Sequence, residues 1–352
     1  MKKYFNKGLI YQWFNSSKMI ILLGIIAWGL VSYIIVQDNI NGVSWKISEY
    51  FENSYETQFL CNYLILGIIF SLIHFMSQGI NKRNNNMFLT SAPYTKKQIK
   101  YNEFICLMIN LVVFIGVFVY ISIMAYIKHY ELISIIDGYF KVLGIEIFKI
   151  ALFGIIGILT LLIIDSMFSN TIVGIICMIS IIPGAFLCII FRVSEILHYS
   201  PWEYNRSIGS KIGEFIYNNL FKSNTLCLFE SISINKIHGI NMLYESLFLA
   251  IIILALLGIY YIMQKKYKVE SNTKIFTSKL YEKIVVGFSS IGAGCFASTV
   301  LFEFYIKDFM GIYYGPLNDG DLVKILGIDF ACIALIAFIV YRLINKVLKN
   351  IQ

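Results

Sequence analysis

Long apolar runs separated by shorter polar stretches occupy most of the chain, and they determine the secondary structure that it predicts. A helix needs roughly 20 predominantly apolar residues to cross about 30 Å of hydrocarbon. Eight runs approach or exceed this length, at about residues 19–36, 59–80, 104–127, 143–164, 171–191, 246–263, 284–303 and 325–341. The predicted fold is therefore all-α, a polytopic integral membrane bundle of about eight transmembrane helices.

Composition supports the membrane as the solvent of this chain. Of its 352 residues, 58% are hydrophobic and 14% are charged, and the mean hydropathy is +0.72. These values exclude a water-soluble globule of this size. The first run is longer than the apolar part of a secretory signal, and no small-residue cleavage site follows it, so we predict a retained helix.

The distribution of basic residues predicts the orientation, because cytoplasmic connections accumulate lysine and arginine. Basic residues concentrate in four segments, at 2–18, 82–100, 265–283 and 342–349. The connection after the first run carries four acidic residues and one lysine. An even number of spans with both termini in the cytoplasm fits this pattern. The net charge of +8 then reflects topology and contact with anionic membrane lipid, and no nucleic-acid partner is expected.

Motifs for autonomous catalysis are absent from the sequence. No G-x-x-x-x-G-K-[ST] pattern occurs, so any ATP must be hydrolysed on another chain. The four histidines form no H-E-x-x-H, and the seven cysteines include no C-x-x-C pair. We therefore predict no enzyme activity, no metal site and no disulfide framework, with the cysteines acting as small packing groups.

Ionisable residues within the apolar runs lie near their ends. His74, Asp165 and Asp329 follow this pattern, and Glu146 and Lys149 are spaced i, i+3, so that they can neutralise each other. A proton- or ion-coupled carrier more often shows carboxylates near the middle of the bilayer and a repeated helical block. Neither feature is visible here, which disfavours ion coupling.

Two features of the runs bear on helix packing. Ser290, Gly294 and Ser298 are spaced i, i+4, i+8, which predicts a small-residue face that allows close helix approach. Pro183 and Gly184 predict a kink, because proline removes a backbone hydrogen bond. That kink is either a hinge for transport or a static bend.

The stretch YTKKQIKYNE, residues 94–103, predicts a helix start in a polar connection. Thr95 and Gln98 fit a capping box, and Pro93 disfavours helix in the residue before it. A short, basic helix is thus predicted on the cytoplasmic surface. Its lysines oppose the helix dipole, so they contact either lipid headgroups or a negatively charged partner.

The surrounding run MFLTSAPYTKKQIKYNEF, residues 87–104, resembles the signature of ABC-2 type permeases, the transmembrane subunits of ATP-binding-cassette transporters. In that family the capped basic helix is a coupling helix that docks into the ATPase subunit. The resemblance assigns this role to seven residues: Pro93, Tyr94, Thr95, Lys96, Lys97, Gln98 and Lys100. The extra pair of spans resembles a Gram-positive subfamily with two added C-terminal helices.

The resemblance also implies a domain organisation. Residues 1–270 would form a six-helix permease core, with an interfacial helix at residues 2–18, a coupling loop at 81–103 and an outer re-entrant segment at 192–245. The run YYIMQKKYKVESN after the sixth span is similar to the exit of that core. Residues 271–352 would form the two-helix extension.

The function implied is that of a permease subunit in an ABC exporter of a bacterial, Gram-positive, cell membrane. Its partners would be a cytoplasmic ABC ATPase, which binds ATP and Mg²⁺, and a second permease that is identical or a sister chain. The substrate would be hydrophobic or amphipathic: an antimicrobial peptide, a drug or a lipid-like compound. The alternative is a non-transporting immunity or sensor protein that binds a peptide through the outer segment.

Overall fold

The computed structural model is all-α. It describes residues 6–50, 55–78, 94–134, 138–169, 171–198, 228–229, 231–233, 237, 239–266, 275–301 and 319–351. No β-strand occurs among these residues, which contain two isolated bridges. The α-helices are α1 Lys7–Tyr50, α2 Leu64–Gln78, α3 Lys96–Lys128, α4 Tyr130–Ile133, α5 Tyr139–Met167, α6 Thr171–Ile176, α7 Ile182–His198, α8 Gly239–Lys266, α9 Lys279–Leu301 and α10 Asp319–Ile351.

Seven helices of the described part are long and apolar enough to cross a membrane, as expected of a multi-pass membrane protein. They coincide with seven of the eight predicted runs. The eighth run, 171–191, consists of α6, a π-helical turn Cys177–Ile181 and α7. The predicted all-α membrane fold is confirmed, while the count of eight spans and the side of each terminus stay predictions.

Helix α1 includes most of the predicted interfacial helix at residues 2–18. It is one helix of 44 residues, about 66 Å long at roughly 1.5 Å per residue. Residues 7–18 are its first turns, and it also continues through residues 37–50, which were predicted as a connection. The polar pair in this region does not interrupt the helix, because the hydroxyls of Ser16 and Ser17 both donate to the carbonyl of Trp13, at 2.8 and 2.7 Å.

The structure divides into two compact units, and unit 1 comprises residues 1–166 and 221–269. Within it, α1 packs against α2 and α3. Trp28 of α1 is fully buried, and its indole N–H donates to the carbonyl of Phe114 at 2.9 Å. Phe114 in turn packs edge-on against Phe70 of α2. Aromatic side chains thus fill the centre of these three helices.

Elsewhere in unit 1, residues 57–60 are held by residues 229–232. Thr57 N donates to Ile232 O at 2.9 Å, and Leu60 N donates to Phe229 O at 3.2 Å. These contacts hold residues 229–232 of the predicted outer segment 192–245, whose last seven residues, 239–245, belong to α8. The segment's first seven residues, 192–198, belong to α7, and most of the segment lies outside the described residues.

Unit 2 comprises residues 167–220 and 270–352. Here α9 packs against α7 and α10, and backbone hydrogen bonds join Ser169 to Ile275 and Thr277 to Met167. One boundary between the units falls at the predicted division at residue 270, and residues 167–220 also belong to unit 2. Helices α6 and α7, assigned by the sequence to the six-helix core, fall in the same unit as the predicted two-helix extension.

Candidate functional site

The start of α3 carries the predicted capping box. The Thr95 hydroxyl accepts from Gln98 N at 3.3 Å, and Gln98 Oε1 accepts from Thr95 N at 2.9 Å. Thr95 is exposed, and Tyr94 is half-buried. The predicted short surface helix is not separate, however, because it is the first part of the 33-residue α3. Of the other proposed coupling residues, Pro93 lies outside the described residues, and Lys96 and Lys97 are described in their backbone alone.

Lys100 departs from its expected position on a docking surface. Its side chain is buried, and its ammonium lies 2.7 Å from Glu103 Oε2 and 3.5 Å from Asp165 Oδ2. His74 completes the group, with Nδ1 3.4 Å from Glu103 Oε1 and Nε2 3.5 Å from Asp165 Oδ2. We refer to these four buried residues as the Lys100 cluster. It joins α3 to α2 and α5.

Further contacts fix the start of α3 to the rest of unit 1. Asn102 donates to the carbonyl of Gln98 at 2.7 Å, and its Oδ1 accepts from the backbone N–H of Asn6 at 3.2 Å. The Tyr260 hydroxyl of α8 donates to the carbonyl of Lys100 at 3.3 Å. The first two turns of α3 are therefore attached to the residue just before α1 and to α2, α5 and α8.

The Lys100 cluster contains a set of metal-ligating groups. Ligand atoms of His74, Glu103 and Asp165 all lie within 4.8 Å of one another. The Lys100 ammonium already contacts both carboxylates of this set, so a bound cation would have to displace it. Because a buried carboxylate needs a compensating charge, the arrangement is better explained as a charge-compensated joint between helices.

A second buried charge group lies near the start of α5. Lys149 Nζ is 3.4 Å from Glu146 Oε1 and donates to the carbonyl of Gln58 at 2.8 Å. Glu146 also accepts from Gln58 N at 2.8 Å and from the Tyr63 hydroxyl at 2.5 Å. We refer to Gln58, Tyr63, Glu146 and Lys149 as the Lys149 cluster. The pairing of Glu146 with Lys149 expected from their spacing is confirmed.

In unit 2, the small-residue row of α9 lies against α10. Ser290 and Ser298 are buried, and a Cβ added at Gly294 would lie 2.7 Å from the carbonyl oxygen of Ile333 and 3.2 Å from Ala337 Cβ. Gly292, outside the predicted row, approaches α7 as closely, since a Cβ there would lie 2.6 Å from Ala185 Cα. Both helix contacts thus depend on the absence of a side chain.

Pro183 and Gly184 lie in the first turn of α7, immediately after the π-helical turn. The π-turn provides the local change of backbone geometry that a proline within a helix requires. The kink at Pro183 and Gly184, as a static bend or as a transport hinge, stays a prediction.

Sequence reasoning missed a buried ion pair in unit 2. Arg192 of α7 contacts Asp329 of α10 through Nε at 3.1 Å and Nη2 at 2.7 Å, and the Ser298 hydroxyl donates to the same carboxylate. Arg192 and Asp329 are almost completely buried. The two charges are 137 residues apart, so no local spacing links them.

No protein-family model, curated protein or solved structure matches this chain. The resemblance to ABC-2 permeases therefore depends on the sequence features alone.

Proposed function

We propose that this chain is the membrane-spanning subunit of an ABC exporter, in which a separate cytoplasmic ATPase drives outward movement of a hydrophobic or amphipathic substrate. The observation that carries the proposal is the construction of α3. A capped helix start, with lysines at its first two positions, is the beginning of the same helix that crosses the membrane.

This construction suits the transmission of force. Helix α3 is about 50 Å long at roughly 1.5 Å per residue, so a partner that displaces residues 94–98 displaces the whole span. The Lys100 cluster then passes that displacement to α2 and α5. Separating a buried ion pair is costly, and the joined helices therefore move together.

Within this proposal the seven residues assigned by resemblance divide into two roles. Pro93, Tyr94, Thr95, Lys96, Lys97 and Gln98 form the surface that contacts the ATPase. Lys100 anchors that surface to the span, because its ammonium faces Glu103 and Asp165. ATP and Mg²⁺ bind to the ATPase, and a second permease, identical or a sister chain, completes the complex in a Gram-positive cell membrane.

The docking surface is tested by charge reversal. The chain is co-expressed with a candidate ATPase, and Lys96→Glu with Lys97→Glu is compared with Lys265→Glu and Lys266→Glu, a second adjacent pair in a predicted cytoplasmic segment. We expect the first double variant to lose co-purification and at least tenfold of the substrate-stimulated ATP turnover. The control pair should retain both. Unchanged complex formation and turnover in the first variant would contradict the proposal.

The anchor is tested separately with Asp165→Asn. This variant keeps the docking residues, so the ATPase should still co-purify, while substrate no longer stimulates its turnover.

Cysteine labelling of intact cells at position 97 checks the orientation, and labelling from the external medium alone would exclude the docking role. The immunity or sensor alternative is tested by the resistance of cells to an antimicrobial peptide. If cells that carry either lysine double variant stay resistant and cells that carry a deletion of residues 199–227 do not, that alternative is favoured.

A further inference from the structure

Unit 1 contains a small cavity between α1, the segment around Tyr55, α3 and α5. Its apolar wall includes Ile35 and Val36, and its polar wall includes Ser122 and Glu146. The cavity has about 30 Å³ of room for water-sized groups. Because one such group needs roughly 10–15 Å³ on this measure, the cavity accommodates two or three non-hydrogen atoms.

One polar group of the cavity wall has no partner among the described residues. Tyr55 is 1% exposed, and its hydroxyl makes no hydrogen bond within the described structure. Other polar wall residues are satisfied: the Ser122 hydroxyl donates to Phe118 O, and the Tyr139 hydroxyl donates to Ser122 O. An unsatisfied buried hydroxyl is costly, so a ligand that both accepts and donates a hydrogen bond is favoured here.

The charges around the cavity favour a neutral ligand. The Glu146 carboxylate is already compensated by the Lys149 ammonium and by the Tyr63 hydroxyl, so a charged ligand would add an uncompensated buried charge. Burial, with a smaller effect of the neighbouring Tyr139 and Tyr126 phenols, raises the pKa of Tyr55 above its ordinary value. Tyr55 is therefore a neutral donor and acceptor at physiological pH.

We propose that this cavity binds a neutral hydroxyl-bearing group of two or three non-hydrogen atoms, with its hydroxyl on Tyr55 and its carbon atoms against Ile35 and Val36. Two sources share this chemistry: a free short alcohol and the hydroxyl end of a larger amphiphile, such as a glycerol headgroup. The site goes beyond the proposed function, because binding there does not require the ATPase.

Methyl NMR on the purified full chain tests binding directly. Labelled isoleucine, leucine and valine methyls report on the cavity at Ile35, Val36, Ile40, Val142 and Leu143. Ethanol should shift these methyls saturably, with a dissociation constant no lower than about 0.5 mM for three non-hydrogen atoms. The exposed Leu335 and Ile339 of α10 are internal controls and should shift linearly with ethanol.

Two variants separate specific binding from solvent effects. Tyr55→Phe removes the hydroxyl and should weaken the saturable shifts at least tenfold, while Ser122→Val fills part of the cavity and should abolish them with Tyr55 intact. Fluoroethane, which lacks the hydroxyl, should not produce saturable shifts. If ethanol shifts the cavity and control methyls alike, or Tyr55→Phe binds as well as the wild type, the proposal is overturned.

The source of the ligand is distinguished in nanodiscs. Phosphatidylglycerol carries headgroup hydroxyls, and phosphatidylethanol has the same charge without them. If the first lipid shifts the cavity methyls in a Tyr55-dependent manner and the second does not, a lipid headgroup supplies the group. If ethanol alone produces the shifts, the ligand is a soluble alcohol. Both results support the hydroxyl site, and neither depends on whether an ATPase couples to α3.

Discussion

The two units differ in how closely their helix backbones approach each other. In unit 1, buried charged side chains connect helices that are distant in sequence. A single group of them, the Lys100 cluster, spans α2, α3 and α5. In unit 2, α9 meets both neighbours at glycines, with Gly292 against α7 and Gly294 against α10. The charged pair Arg192–Asp329 is added to this close packing.

The difference follows from the physics of the membrane. Lipid tails are as apolar as leucine, so apolar side chains alone give helices little reason to prefer each other over lipid. Close backbone approach gains dispersion contacts, whereas a buried ion pair enforces one specific arrangement and is costly to break. Unit 1 is thus suited to transmitting a displacement between specified helices, and unit 2 combines a buried ion pair with close backbone approach at two glycines.

The largest expected effect comes from removing one charge of unit 1. Lys149→Met leaves Glu146 buried without its ammonium partner and removes the hydrogen bond to Gln58 O. We expect a loss of about 3–5 kcal/mol in the free energy of unfolding, measured as a lower melting temperature in detergent.

A second variant separates charge from packing in the same cluster. Combining Lys149→Met with Glu146→Gln removes both charges, so it should restore most of the stability lost in the single variant. If the double variant is no more stable than Lys149→Met, the pair contributes through packing or through the Gln58 contacts.

The ion pair of unit 2 should respond to geometry even when charge is conserved. Arg192→Lys keeps a positive charge but cannot reproduce the two contacts of the guanidinium with Asp329. Loss of one charge-assisted hydrogen bond should lower the free energy of unfolding by about 1.5–3 kcal/mol. Arg342→Lys on the exposed side of α10 is the matched control: it loses only the stacking on Phe338, at a cost of less than about 1 kcal/mol. Equal melting temperatures for the two variants would show that charge alone suffices at position 192.

A smaller effect tests the close backbone approach between α9 and α10. Gly294→Ala places a Cβ 2.7 Å from a backbone oxygen of α10, so the helices must separate, at a cost of about 1–3 kcal/mol. Gly287→Ala on the same helix has open space around it and should be neutral or stabilising by up to about 1 kcal/mol. Both are measured by thermal unfolding in detergent. Similar stability of the two variants would contradict close packing at Gly294.

The sequence predicted those features that depend on neighbouring residues. Apolar runs located seven long helices because the length needed to cross a membrane is fixed. The capping box at Thr95 and Gln98 and the pair Glu146–Lys149 depend on spacings of three residues, and both are present. The extent of α1 was missed because hydropathy marks the membrane-facing part of a helix and not its polar continuation.

Features that depend on tertiary contacts were not predictable in the same way. Lys100 was placed on a docking surface because the resemblance to ABC-2 permeases assigned it to the coupling helix, and its spacing to Glu103 was the one local signal that it has an internal partner. Its contact with Asp165 spans 65 residues. Similarly, Asp165 and His74 were correctly placed near the ends of apolar runs, but nothing in the sequence indicated that they meet.

The smallest expected effect concerns the exposed start of α3, which is held by the capping box of Thr95 and Gln98. Thr95→Ala removes the acceptor for Gln98 N and should cost about 1 kcal/mol of local helix stability, with faster amide hydrogen exchange at residues 97–99. Thr95→Ser keeps the acceptor and should exchange like the wild type. Since the Lys100 cluster holds α3 from its fifth residue onward, exchange beyond Glu103 should be unchanged in both variants. Faster exchange there in Thr95→Ala would show that the cluster does not fix the helix independently of its cap, and the rigid connection on which force transmission depends would be lost.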